Sequence, residues 1–130
     1  MPHLLRYDAG QNVLLVTFKG RVTETAYLDA YDNVEEFIAA HGPCACIVDF
    51  SGIDAFELTT DFARKVGVMR PAIPAGFRRV VVAPQPSVYG TARIVAALRE
   101  GTGAEVVVTA SFAEATALFG TSQFIFQAVN

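Results

Sequence analysis

The polar side chains best placed for chemistry sit at two helix starts. Ser87, Tyr89 and Arg93 follow Pro86 with no acid nearby. A helix N-terminus there offers free N–H groups, a hydroxyl and a guanidinium one turn in, which together suit a phosphate or carboxylate. The plainer reading of the same residues is a serine cap, a packed tyrosine and a solvated arginine. Thr59 and Thr60 open the other helix, where their oxygens suit N-capping, while Asp54, Glu57 and Asp61 oppose any anion. Other chemistries have less footing. Cys44 and Cys46 are two apart on a strand, with no further Cys or His at zinc-like spacing, so free thiols and no metal site are expected. His3 and His41 lie near the chain start and in a helix-to-strand loop, where both are expected to be solvated. No nucleophile-and-base pair, glycine-rich phosphate loop or pair of catalytic acids emerges, so a non-enzymatic protein without a cofactor is expected.

Four aromatic residues, Tyr27, Tyr31, Phe56 and Phe62, either pack the core or line an apolar ligand cleft. What must position them is an alternating series of elements. His3 to Asp8 and Asn12 to Lys19 read as two strands of a hairpin, with Gly10 free to take positive φ. Val22 to Ala40 reads as an amphipathic helix capped by Thr23 and ended at Gly42-Pro43. Cys44 to Phe50 is an apolar run of the kind a central strand requires, and Asp49, Ser51 and Gly52 then supply turn chemistry. A helix follows from Thr59 to Met69. Phe77 to Ala83 is a second buried strand, and Ser87 caps a helix with Val88, Ala92, Val95 and Leu98 on one face. Glu105 to Thr109 is a third buried strand, and Ser111 caps a last helix holding Phe112, Ala115 and Leu118. The order β-β-α-β-α-β-α-β-α predicts one α/β domain over residues 1–130, with a mixed, mostly parallel sheet of four or five strands and about four helices.

Composition narrows the class further. A chain of 130 residues with 52% hydrophobic and 18% charged residues is apolar for its size, which predicts a well-covered sheet, an oligomer interface or an apolar pocket. No apolar run reaches membrane-span length, and the N-terminus does not resemble a signal peptide, so a cytoplasmic location is expected. The net charge is −3, and no nucleic-acid partner is expected. The charge is unevenly spread. Val22 to Ala63 holds nine acids and no Lys or Arg, whereas Arg64 to Arg99 holds seven bases and no acid. Solvated helix faces account for this, as does a basic side turned to an anionic partner or membrane surface. Beyond Gly120, a C-terminal extension continues as TSQFIFQAVN, too apolar for a free tail. It must cover either its own helices or a second subunit. The second subunit is preferred, because the core looks complete at Phe119, and a homodimer is therefore expected.

At this level the chain resembles a known family. The run IVDFSGIDAFELTTDFARKVG is similar to the signature of the STAS domain of anti-sigma factor antagonists, in which an apolar strand ends in Asp and leads to a phosphorylatable Ser or Thr at a helix start. VVVAPQPSVYGTARIVAALREG and VVVTASFAEATALFG resemble the SpoIIAA-like branch: Ala83-Pro84 ends a strand, Tyr89-Gly90-Thr91-Ala92-Arg93 opens a helix, and Glu114-Ala115 lies in the last one. The resemblance spans Asn12 to Phe119. Glu57-Leu58-Thr59-Thr60 stands where these antagonists carry Asp-Ser-Ser-Gly, so Thr59 alone aligns with the phosphorylated hydroxyl. The SpoIIAA-like branch shares its architecture with small CRAL-TRIO lipid-binding domains. What the resemblance implies is an apolar cleft for a lipid-like or amphipathic ligand and membrane association, or else a regulator that docks a partner under Ser/Thr phosphorylation control.

Overall fold

The computed structural model describes residues 3–121 and 123–129. The chain runs β1 (His3–Asp8), β2 (Val13–Val22), α1 (Glu24–His41), β3 (Ala45–Phe56), α2 (Thr60–Val68), β4 (Arg79–Val82), α3 (Pro86–Leu98), β5 (Val106–Thr109), α4 (Phe112–Ala117) and β6 (Gln127–Ala128). One six-stranded sheet has the order β5-β4-β3-β2-β1-β6. The pairs β2–β3, β3–β4 and β4–β5 are parallel, and β1–β2 and β1–β6 are antiparallel.

Side-chain alternation divides the core between the two sheet faces. In β2, Leu14, Val16 and Phe18 point into one cluster, and Val13 and Leu15 into the other. The crossovers through α1, α2 and α3 each step one strand further in the same direction. Crossovers of one hand must then lie on the same face, and all three helices cover the Leu14 face. α4 lies on the opposite face with Ala115, Phe112 and Leu118.

Caps explain most helix limits. Thr23, Thr59 and Ser111 accept the N–H of Ala26, Phe62 and Glu114 respectively. α3 departs from expectation: its N-cap is Gln85, with no side-chain hydrogen bond, and Pro86 holds the first turn. Ser87 lies inside the helix and is exposed, so it is not the cap. In the hairpin the positive φ falls on Asn12 (56°) rather than Gly10, a conformation Asn tolerates. Asn12 is also held there by Tyr7, whose hydroxyl it accepts at 2.5 Å.

β3 is longer than its apolar run. Thr17 and Lys19 of β2 pair with Asp49 and Gly52, and Gly20 and Arg21 pair with Ile53 and Ala55, so β3 carries an extra residue at two places. Asp49, Ser51 and Gly52 therefore build a bulge instead of a turn, and Asp49 Oδ1 accepts both the N–H and the hydroxyl of Ser51. Each bulge reverses the alternation. As a result Phe50, Ile53 and Phe56, three residues apart, all join the Leu14 face.

The extension beyond Gly120 packs on its own domain, which corrects the expectation that it covers a second subunit. β6 pairs with β1, and Val129 N–H donates to Leu5 O at 3.1 Å. Phe124 and Phe126 stack at 5.1 Å, Phe119 meets Phe124 edge-on, and all three pack on the Val13 face. The core is incomplete at Phe119, because the six-residue α4 is too short to cover that face alone.

Candidate functional site

Between the sheet and α1, α2 and α3 lies an open-sided cavity of about 150 Å³. Its origin is visible in α3, where Val88, Thr91, Ala92 and Val95 form the inward stripe and only Val88 is fully buried. Short side chains at Thr91 and Ala92 leave the gap. Val48 and Val81, expected in the middle of the sheet, are only half-buried because they face it. In β5, an edge strand, Val106 and Val108 are also half-buried, and Val107 on the other face is exposed.

Tyr27, Tyr31, Phe56 and Phe62 all line this cavity, although α1, β3 and α2 supply them separately. Phe18 organises the wall. It stacks on Tyr27 at 6.1 Å and on Phe50 at 5.0 Å, while Phe62 meets Tyr27 edge-on at 5.8 Å and Phe56 does the same to Phe50. Burial raises the hydroxyl pKa of Tyr27 and of Tyr31. Tyr31 donates to the main-chain carbonyl of Arg70, and Arg70 pairs with Glu35, which ties α1 to the loop beyond α2.

Two arginines that the charge pattern placed on solvated faces also line the cavity. Arg79 is 7% exposed and Arg99 8%. Arg79 donates to the carbonyls of Phe77, Ile73 and Pro74, and Arg99 donates to Val66 O at 3.0 Å, near the C-terminus of α2 where a cation is favoured. The Nε of each is buried with no hydrogen-bond partner among the described residues. No ion pair among those residues involves either one. Burial, together with the Arg99 charge, lowers the pKa of Arg79 against the opposing effects of Cys46 and the Glu105 carboxylate. Sequence signals for both residues existed. Arg99 continues the Val88, Ala92, Val95 stripe, whereas Leu98 turns to Gly67, where an added Cβ would lie 2.8 Å from Leu98 Cβ. Arg79 shares strand parity with Val81 and pairs in register with Cys46.

Ser87, Tyr89 and Arg93 do not come together at the cavity. Ser87 and Arg93 are exposed, Tyr89 packs against the core, and none of the three lines the opening. Thr59 and Thr60 are exposed at the start of α2, with the Thr59 hydroxyl already engaged as the cap.

Cys44 and Cys46 are free and buried, and burial pushes their thiols up to about 11 and about 12. His3 departs from expectation. It is buried with its Nε2 2.7 Å from Asn33 Nδ2, and desolvation lowers its pKa. His41 is exposed and stacks on Phe37. Among the described residues no cluster of His, Cys, Asp and Glu has the form of a metal site, and no helix is long and apolar enough to cross a membrane.

No family model and no curated protein matches the chain. Among solved structures, an uncharacterised protein of the DUF3478 family with a SpoIIAA-like fold, from Shewanella loihica PV-4, is similar with a TM-score of 0.58. The match covers 90% of this chain and 94% of that one at 14% identity. Likeness at that identity is a likeness of fold. The chain is a single α/β domain with a SpoIIAA-like fold.

Proposed function

We propose that this protein is a non-enzymatic binding module that takes an apolar or amphipathic small molecule between its sheet and helices α1 to α3. The observation that carries this reading is the cavity itself, which brings Tyr27, Tyr31, Phe56 and Phe62 onto one aromatic wall. Close-packed interiors hold few voids larger than a water molecule, so a gap of this size beneath three helices calls for an occupant. Its volume sets the scale. An apolar hole of about 150 Å³ accepts a ring the size of benzene. A long acyl chain would extend through the open side, toward a membrane surface in the case of a lipid. The enclosed part of the ligand is therefore compact.

Native mass spectrometry of the gently purified protein, with solvent extraction of bound molecules, tests the reading. A small-molecule adduct is expected, and Ala92→Phe, which fills the gap from α3, is expected to lose it while remaining folded. Absence of any adduct, together with no thermal stabilisation by neutral aromatic compounds, would overturn the reading.

A further inference from the structure

The cavity carries more positive charge than its walls neutralise. Each guanidinium has five N–H donors. Arg79 commits three hydrogen bonds to the carbonyls of Ile73, Pro74 and Phe77, which leaves two donors, and Arg99 commits one to Val66, which leaves four. Arg79 is thus chiefly a staple for the loop before β4. Arg99 keeps most of its fork free. Both are more than nine-tenths buried and each has an orphaned Nε. No carboxylate among the described residues forms an ion pair with either, although exposed Glu105 acts on Arg79 from a longer range. Buried charges are ordinarily paired, and leaving one unpaired is strongly destabilising. Glu105 offsets part of the Arg79 charge, so Arg99 is the cation that faces the apolar cavity as half of an ion pair.

We propose that the ligand is a compact aromatic or branched carboxylate whose ring or side branch fills the aromatic pocket and whose carboxylate meets Arg99, with Arg79 as the second positive charge. This rests on the binding-module reading above and adds the ligand's charge, head group and size. Planar, forked guanidinium donors suit a carboxylate, and charge-assisted bonds in a dry site are the strong ones. The apolar wall excludes fully polar anions, since only a small carbon body can replace the contacts that the cavity lacks.

Calorimetric titration with benzoate and with benzyl alcohol separates the two levels, because these probes share a ring and differ in the charged head. Wild-type protein is expected to bind benzoate at least about tenfold more tightly, a difference of one decade in Kd. Arg99→Gln is expected to abolish that preference by weakening benzoate at least about tenfold, and benzyl alcohol less, because the alcohol loses a single hydrogen bond to the guanidinium and no ion pair. Arg99→Lys is expected to fall between, and it serves if the Gln variant does not fold. Equal binding of both probes to wild type, or a benzoate preference that survives Arg99→Gln, would overturn the carboxylate proposal and leave the apolar cavity reading intact. Binding of neither probe to the folded wild type would overturn both.

Discussion

The Asp8 carboxylate accepts the backbone N–H of Ile125 at 2.7 Å, across 117 positions of chain. Its other oxygen accepts the N–H of Gln11 at 2.8 Å, so one buried side chain closes the hairpin and holds the tail. The Ile125 bond, with those from Gln11 and Gly10, lowers the Asp8 pKa against the opposing effect of burial. A carboxylate with a depressed folded pKa contributes stability that is present above the unfolded value of about 3.9 and is lost as pH falls through the folded value. The amides of Ile125 and Val129 are expected to lose hydrogen-exchange protection below about pH 4, a window set by that reference. In Asp8→Asn the loss is expected already at neutral pH, and the acid dependence of these amides is expected to disappear.

The tail's apolar contacts predict a second effect. Phe124 and Phe126, both half-buried, cover the Val13 face from within the same chain, and each contributes part of the about 1.5–3 kcal/mol that full burial of such a side chain is worth. Deleting residues 121–130 is expected to lower unfolding free energy by a few kcal/mol on this scale, with no change in mass by light scattering. A fall in mass would instead place the tail at a subunit interface.

Cys44 and Cys46 predict alkaline behaviour. Their folded thiols are raised to about 11 and about 12, against about 8.5 for an unfolded thiol. Below the unfolded value their contribution is complete. It declines as pH rises above that value, since the unfolded chain releases its protons first. Each thiol adds a slope of up to about 1.4 kcal/mol per pH unit. Between about pH 8.5 and pH 10, before tyrosine titrates, Cys46→Val is expected to unfold with a shallower pH dependence than wild type in urea titrations. Alkylation of native wild type is expected to be limited by opening of the fold.

The element order was legible in the sequence because each strand is apolar and each helix start but one carries a capping oxygen. Thr23, Thr59 and Ser111 show this directly, and α3 is the exception because Pro86 sets the first turn instead. The bulges in β3 were hidden, since Asp49, Ser51 and Gly52 carry the same local chemistry in a bulge as in a turn, and only pairing with the long β2 decides between them. The aromatic wall was legible as a set of residues, but not as one place, because Tyr27, Phe56 and Phe62 meet through three separate elements. Arg79 and Arg99 were missed for a physical reason. A basic side chain in sequence reads as solvated, which outweighed the helical stripe that includes Arg99 and the strand parity of Arg79 with Val81, and the main-chain carbonyls that hold both come from other elements. The tail was misjudged because the back face looks covered until α4 proves to be six residues long.

Thr59 distinguishes capping from switching. Its hydroxyl accepts Phe62 N–H at 3.1 Å, and Asp is an equally good cap. Thr59→Asp is expected to unfold within about 0.5 kcal/mol of wild type, whereas Thr59→Ala is expected to cost about 1 kcal/mol, both by chemical denaturation. A Thr59→Asp variant that folds normally but gains or loses a protein partner in pull-down would favour phosphorylation control.

Val81 and Val82 are neighbours on β4 that face opposite sides of the sheet, and this makes them a paired test of the buried arginines. Val82 is fully buried in the cluster of Val13, Leu15 and Ala115, which offers a carboxylate no partner. Val81 lines the cavity two residues along from Arg79 on the same face, where its side chain is half-buried. A lone carboxylate in a protein interior costs several kcal/mol, but that cost falls when cations already stand in the same space. Val82→Asp is expected to abolish cooperative folding. Val81→Asp is expected to fold, at a cost at least about 2 kcal/mol smaller, because the new carboxylate places an anion inside the cavity that Arg79 and Arg99 line. The same variant is expected to lose benzoate binding. Urea unfolding of the two variants decides the matter: equal damage at both positions would mean that the three carbonyls around Arg79 and the one at Arg99 already satisfy their charge.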